Sequence, residues 1–370
     1  MASPLVLQFG TSRFLQAHVD YFVAKSIESG LSSTPIAVVQ TSSSLSGKKR
    51  VKAFNEIDYY PVRIQGLEFG ESVDRTEWVG SVECAFEADQ SWAEITELFC
   101  QRVTHVVSNT ADNGYELSDS DQIDQQPPTS FPAKLTALLH ARFSRQGTGV
   151  TIMPCELVAE NGQRLKRAVA SVAQTWRLSD EFLHWMDEEC LWVNSLVDRI
   201  VSSALEPLGA VTEPYALWAI ENQPGLTVPC EHKAIRVVDD LAPLEWLKLG
   251  VLNLSHTYLV DRWLERDALN TETVFQAMHD TRLRSELEDV LTEEVIPILQ
   301  SMRLGEDVEG YVEAVRERFL NPFLEHRLSD IAQNHASKVE RRILPVWQQR
   351  NGLDCPRLFA CLRRHHLTSE

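Results

Sequence analysis

A lysine, an asparagine and a histidine stand at Lys248, Asn253 and His256 in the stretch KLGVLNLSH, among Leu249, Val251, Leu252 and Leu254. On a regular α-helix these offsets put the three polar side chains within an arc of about 140°, so that they can face one cavity. A lysine among aliphatic neighbours loses hydration, which disfavours its ammonium form and moves its pKa toward the range useful for proton exchange at neutral pH. Asn253 offers an amide donor to an oxygen that turns negative during reaction, and His256 can orient either partner or a substrate hydroxyl. Together they suit the interconversion of an alcohol and a ketone. The same spacing also fits a helix with a snorkelling lysine, a capping asparagine and a satisfied core histidine, and on spacing alone that plainer account is favoured.

The elements that would position such a site begin at the amino end. PLVLQF, residues 4–9, is an apolar run that stops at Gly10, and a helical pattern through Phe14, Ala17, Tyr21 and Phe22 follows. Strand, glycine turn and helix open a dinucleotide-binding fold. Of the GxGxxG fingerprint, GTSRFLQAH keeps the first glycine and has Ser12 at the second. Gly10 permits the tight turn, the amides of Thr11, Ser12 and Arg13 can point at a pyrophosphate, and Arg13 adds charge. An ordinary strand-to-helix turn fits equally well. A second run, Ile36 to Val39, ends at Gln40, where an Asp or Glu would favour NAD. No acid is present, and Ser42 to Ser44 with Lys48, Lys49 and Arg50 are compatible with NADP or with a solvated loop, so the choice of nicotinamide cofactor stays open.

Further strands are expected at 104–110, ending on Asn109, at 149–157 and at 234–240. A polar loop is expected from Ala111 to Thr129, a helix from Phe131 capped by Ser130, and another after Asn161 and Gly162 through Trp176, with helical patterning continuing through FLHWM and LVDRIVSSAL. After Lys248 the pattern is almost wholly helical. This predicts an α/β chain: a Rossmann-like domain over residues 1–243, then a mostly α-helical domain over 244–370 that begins at the organising stretch. Substrates commonly sit in clefts between domains.

The chain has 370 residues, 44% of them hydrophobic, enough for two cores. Its formal net charge of −18 disfavours nucleic acid or an anionic membrane as partner. A small anionic substrate is not excluded, since a local basic cluster can hold one. Seven scattered cysteines without a CxxC pair, and no secretory signal, read as reduced thiols in a cytoplasm. No convincing metal-ligand set emerges; His365 and His366 read as solvated residues near the carboxyl end.

Several separated segments agree with one family. QFGTSRFLQAHVDYF, VVSNT, SFPAKL, PCELVAENG, LVDRIV, KLGVLNLSH, RFLNPFLEH and RRILP occur in family order over nearly the whole chain, which resembles the polyol-specific long-chain dehydrogenases of the mannitol dehydrogenase family. KxxxxNxxH is that family's catalytic signature. The resemblance implies zinc-independent hydride transfer between NAD or NADP and a sugar-derived alcohol or ketone. It makes Lys248 the catalytic lysine, Asn253 the oxyanion-binding asparagine and His256 the substrate-positioning histidine. Gly10, Ser12 and Phe14 match the cofactor turn, and Asn109 the strand end facing the cofactor. Asp198 and Arg199 match a motif near the site or form a structural ion pair. Mannitol-type members carry an asparagine two residues after the cysteine of PCEL, where this chain has Leu157, and PCEL followed by NG is more similar to tagaturonate reductases (altronate oxidoreductases). A uronate carboxylate would need a basic partner, for which Arg199 and Lys134 are the candidates. Fructuronate, or a mannitol–fructose pair, is the alternative substrate, and a non-catalytic nicotinamide-binding protein the alternative class. The expected assembly is a monomer or homodimer.

Overall fold

The computed structural model describes residues 3–32, 34–110, 114–266 and 272–368. The chain forms two compact units. One comprises residues 1–63, 76–212 and 216–241; the other takes residues 64–75, 213–215 and 242–370. Of the loop expected from Ala111, residues 111–113 lie outside the described residues.

Thirteen strands occur among the described residues: β1 (Leu5–Phe9), β2 (Ile36–Gln40), β3 (Tyr60–Glu68), β4 (Glu71–Val79), β5 (Val82–Glu87), β6 (Val103–Ser108), β7 (Thr151–Pro154), β8 (Leu191–Trp192), β9 (Ser195–Asp198), β10 (Val201–Ala204), β11 (Ala210–Thr212), β12 (Leu217–Glu221) and β13 (Ile235–Val238). The main sheet has the order β5-β2-β1-β6-β7-β8 and every pairing in it is parallel. LVLQF and IAVVQ are buried at every position, as strands must be when helices cover both faces of a parallel sheet. The core beneath is made by Leu7, Phe9, Val39, Val106 and Ile152 against the helices Ala88–Gln101, Phe131–Ser144 and Asn161–Thr175. The sheet order reverses at β1, so the carboxyl ends of β1, β2 and β6 form the topological switch point where such folds bind ligands.

LVDRIVSSAL does not continue the helical pattern. It forms β9 and β10: Val197 pairs with Trp218 of β12, and Ser203 with Val211 of β11. The β-branched Val197, Ile200 and Val201 and the paired serines are poor helix formers, and strand pairing decides their state.

The second unit is mainly helical. Its helical pattern is interrupted at Asp280, whose carboxylate accepts the amides of Arg282 and Leu283 at 3.0 and 2.9 Å and starts the helix Thr281–Val290 anew. A π-helical turn, Leu291–Val295, then leads into Ile296–Ser301. KLGVLN is also a π-helical turn, Lys248–Asn253, between the helices Ala242–Leu247 and Leu254–Leu264. Gly250 makes the close packing there possible: a Cβ would stand 3.0 Å from the Leu299 side chain. Among the described residues no helix is long and apolar enough to cross a membrane.

Candidate active site

In the first unit the switch point is assembled by short-range necessity. Gly10 has φ +121°, and a Cβ on it would lie 2.9 Å from the Asn109 carbonyl oxygen, so backbone conformation and close approach both call for glycine. Ser12 caps the helix Arg13–Ala17, accepting the Leu15 amide at 3.3 Å while its hydroxyl donates to Asn109 Oδ1 at 3.2 Å. Asn109 in turn donates to the Cys155 carbonyl at 2.9 Å. The turn after β1 and the ends of β6 and β7 are therefore tied through one carboxamide. Arg13 is exposed and Phe14 half-buried, its ring 4.7 Å from that of His18.

Gln40 closes β2 and is buried. Its amide nitrogen donates to the carbonyls of Ser42 at 2.5 Å and Ser44 at 3.0 Å, which shapes the loop entering the helix Leu45–Glu56. Its Oε1 is buried without a partner among the described residues. Of the basic run that follows, Lys48 pairs with Glu87 at 3.0 Å and Arg50 donates to the Thr11 carbonyl at 3.4 Å.

Glu156, which sequence reasoning missed, is the hub of the same strand ends. Its carboxylate accepts the Ser108 hydroxyl, the Thr110 amide and hydroxyl, and the Tyr115 hydroxyl, all at 2.9 to 3.0 Å. Asn161 braces the next turn, donating to the carbonyls of Pro154, Glu156 and Ser195 and accepting the amides of Gly162 and Ser195. Leu157, where mannitol-type members carry an amide, is 73% exposed.

Lys134 is buried, its amine donating to the Thr129 carbonyl at 2.5 Å, and desolvation lowers its pKa. Arg199 is buried beside Asp198, donates to the Ala17 carbonyl and lies 5.3 Å from the Tyr21 ring centre. Both side chains spend donors on main-chain carbonyls of their own unit.

Lys248, Asn253 and His256 lie in the second unit. The π turn changes their relation: its hydrogen bonds run from i to i+5, so the widened turn brings Lys248 and Asn253, five apart, closer to one above the other than an α-helix does. His256 follows on the helix Leu254–Leu264. Its Nδ1 is 3.1 Å from the Leu252 carbonyl. A carbonyl only accepts, so Nδ1 carries the proton and Nε2 presents a lone pair. That Nε2 is buried and without a partner among the described residues. Burial, reinforced by the neighbouring charges of His326, Arg318 and Arg342, holds His256 well below the usual imidazole range, so the ring is neutral at pH 7.

The walls around His256 come from RFLNPFLEH. Phe319 and His326 pack their rings 4.3 and 4.7 Å from the imidazole. Arg318 is locked to Glu213 by two contacts at 2.9 Å, both side chains buried, and lies 4.5 Å from the Tyr215 ring centre. Arg342 is half-buried and donates to the Thr257 hydroxyl at 3.4 Å; among the described residues no carboxylate pairs with it. RFLNPFLEH is contiguous and visible in the sequence, but no spacing within it points back to His256.

His365 is not a solvated tail residue. It ends the helix Pro356–Arg364, whose Leu358, Cys361 and Leu362 are buried, and its Nε2 lies 2.8 Å from Asp261 Oδ1. His366 alone is exposed.

Comparison with known proteins finds two family domains that follow one another along the chain. Residues 4–229 match the mannitol dehydrogenase Rossmann domain and residues 240–364 the mannitol dehydrogenase C-terminal domain. The altronate oxidoreductase of Halalkalibacterium halodurans is 31% identical over 92% of this chain and 70% of its own. That of Yersinia pestis is 32% identical over 96% of this chain and 78% of its own. In fold, a D-sorbitol dehydrogenase in substrate-free form superposes with TM-score 0.84 at 22% identity, covering 98% of this chain and 80% of that one. The Pseudomonas fluorescens mannitol 2-dehydrogenase ternary complex with NAD and D-mannitol gives 0.77 at 20%, covering 98% and 79%. The chain belongs to the mannitol dehydrogenase family, as an NAD(P)-dependent oxidoreductase acting on CH–OH groups.

Proposed function

We propose that this oxidoreductase interconverts tagaturonate and altronate, with Lys248, Asn253 and His256 handling the proton and the developing charge. The observation that carries the catalytic reading is the buried His256 Nε2: a neutral imidazole, its tautomer fixed by the Leu252 carbonyl, with a lone pair that no described residue satisfies. The substrate class is supported by relatives that are altronate oxidoreductases and by Leu157 in place of the mannitol-type amide.

The nucleotide half fits the chain's own atoms. Gly10 and the Thr11, Ser12 and Arg13 amides would hold the pyrophosphate, with Asn109 and Phe14 bordering it, and the orphaned Gln40 Oε1 would accept a ribose hydroxyl. The nicotinamide supplies hydride in reduction and takes it up in oxidation. In reduction, Lys248 as ammonium gives a proton to the forming alkoxide while the Asn253 amide donates to that oxygen. His256 Nε2 accepts a hydroxyl proton of the substrate and so fixes its rotation. In oxidation neutral Lys248 takes the hydroxyl proton, and turnover rises with pH through the lysine pKa. No step uses a metal.

The test is to follow nicotinamide absorbance with tagaturonate, fructuronate, fructose and polyols, each with NADH or NADPH or the oxidised forms, in the presence of a chelator. Oxidation of the reduced cofactor by tagaturonate is expected. Preference for fructuronate or fructose would move the substrate to that alternative, and silence with every candidate would favour the non-catalytic nicotinamide-binding alternative.

A further inference from the structure

Outside the Lys248 region, three helices direct ligand atoms at one point. Asp261 stands on Leu254–Leu264, five residues after His256 and thus about 140° around that helix. His335 opens His335–Arg342, and His365 ends Pro356–Arg364. Asp261 Oδ1 lies 2.8 Å from His365 Nε2 and 3.4 Å from His335 Nε2, and all three ligand atoms fall within 4.8 Å of one another. The two imidazole rings meet edge to face at 5.1 Å. Asp261 is buried and the histidines are partly so.

We propose that Asp261, His335 and His365 form a binding site for a divalent late transition metal, zinc in particular, separate from the dehydrogenase chemistry. Four-coordinate zinc with carboxylate and imidazole ligands needs ligand atoms about 3.3 Å apart, and the two Asp261–histidine separations, 2.8 and 3.4 Å, lie on either side of that value. The donor set of two imidazoles and one carboxylate suits zinc, cobalt and nickel rather than magnesium or calcium. Cys361, buried, lies one turn before His365 on the same helix, which puts a soft thiol donor on the turn that precedes this ligand. Arg364 holds the other carboxylate oxygen and orients the aspartate; its Nε is also 3.3 Å from Glu265, which keeps the guanidinium compensated when a second cation arrives. The metal would pin the last helix to two earlier ones, coupling binding to the stability of the second unit.

The experiment uses the full chain stripped with a chelator. Titration calorimetry with Zn2+ is expected to show one saturable equivalent, and Zn2+ in excess to raise Tm by several degrees, reversed by chelator. His335→Gln and His365→Gln should each weaken binding at least tenfold, while His366→Gln, one residue on and exposed, leaves it unchanged. Should the two glutamine variants fail to fold, Co2+ on the wild-type chain gives the second readout: intense visible d–d bands of a four-coordinate site support the proposal, and the weak spectrum of the hydrated ion overturns it. Absent saturable binding, or with both variants binding zinc as the wild type does, the cluster is an ion network only.

Discussion

Around Glu156 and Asn161 in the first unit, buried side chains have their bonding positions filled: four donors converge on the Glu156 carboxylate, and Asn161 makes five bonds to main chain. Around His256 in the second, His256 Nε2, Ser255 Oγ and His326 Nδ1 are buried with no partner among the described residues. A buried polar atom left unmade costs about 1–3 kcal/mol, so the second arrangement is expensive unless something completes it. The contrast separates two uses of buried polarity. A closed network fixes where strand ends lie, and an open one leaves polar atoms for a ligand to complete.

The sharpest way to break that contrast is to remove one residue from each side. Lys248→Ala should lower kcat by about a thousandfold, within the range for loss of a general acid–base, with Tm nearly unchanged. Asn161→Ala should do the reverse in kind, costing roughly 4 kcal/mol in urea denaturation, because several main-chain groups lose a partner at once. If Lys248→Ala destabilised the chain as much as Asn161→Ala does, the lysine would belong to the scaffold.

The open side was the more legible in sequence, for a physical reason. Lys248, Asn253 and His256 sit within nine consecutive residues; in the first unit Gly10, Ser12 and Asn109 were legible too, from what the ends of parallel strands require. Glu156 left no such trace, since its donors are Ser108 at the end of β6, Thr110 two residues on and Tyr115, and the parallel pairing of β6 with β7 sets the first of them beside it. β4, ESVDRTEWV, is exposed over most of its length and shows no apolar alternation to read. LVDRIVSSAL carries helical spacing that strand pairing overrules. Nothing local announces the π turn either, and the close packing of Leu299 on Gly250 comes from a residue about fifty positions away.

A third buried group tests the contrast through pH. Asp20 is fully buried, and although Tyr60 donates to it at 2.7 Å, desolvation raises its pKa from 3.8 to about 6. Between those values the unfolded chain has released this proton while the folded chain retains it, so stability falls as pH rises from about 4 to 6 and is flat above, by roughly 3 kcal/mol in all. Asp20→Asn should remove that slope in denaturation curves taken across the interval. A variant with the wild-type slope would mean that Asp20 is not the group responsible. His256 works in the opposite sense: its lowered pKa makes stability decline as pH drops below the unfolded value of about 6.5.

Arg342 sharpens the comparison at smaller scale, since it is the half-buried cation near His256 that no described carboxylate engages. If it meets a uronate carboxylate, Arg342→Gln should raise the KM for tagaturonate by about tenfold, corresponding to about 1.4 kcal/mol, and leave the KM of a neutral ketose alone. Equal effects on both would reduce Arg342 to packing against Thr257.

Gly250→Ala should produce the smallest effect, and its sign depends on two opposed contributions. Alanine is favoured over glycine in a helix by up to about 1 kcal/mol, yet its Cβ would meet Leu299 side-chain atoms at 3.0 and 3.2 Å. Leu299 is fully buried, so it can yield only by displacing its neighbours. We expect the two to leave a net loss below about 1 kcal/mol, with kcat/KM reduced less than tenfold as the π turn shifts Lys248 against Asn253. Wild-type stability with a much larger fall in kcat/KM would mean that the geometry of this turn matters to turnover beyond its packing. No change in either would show that Leu299 accommodates a methyl group and that the turn owes its shape to something other than Gly250.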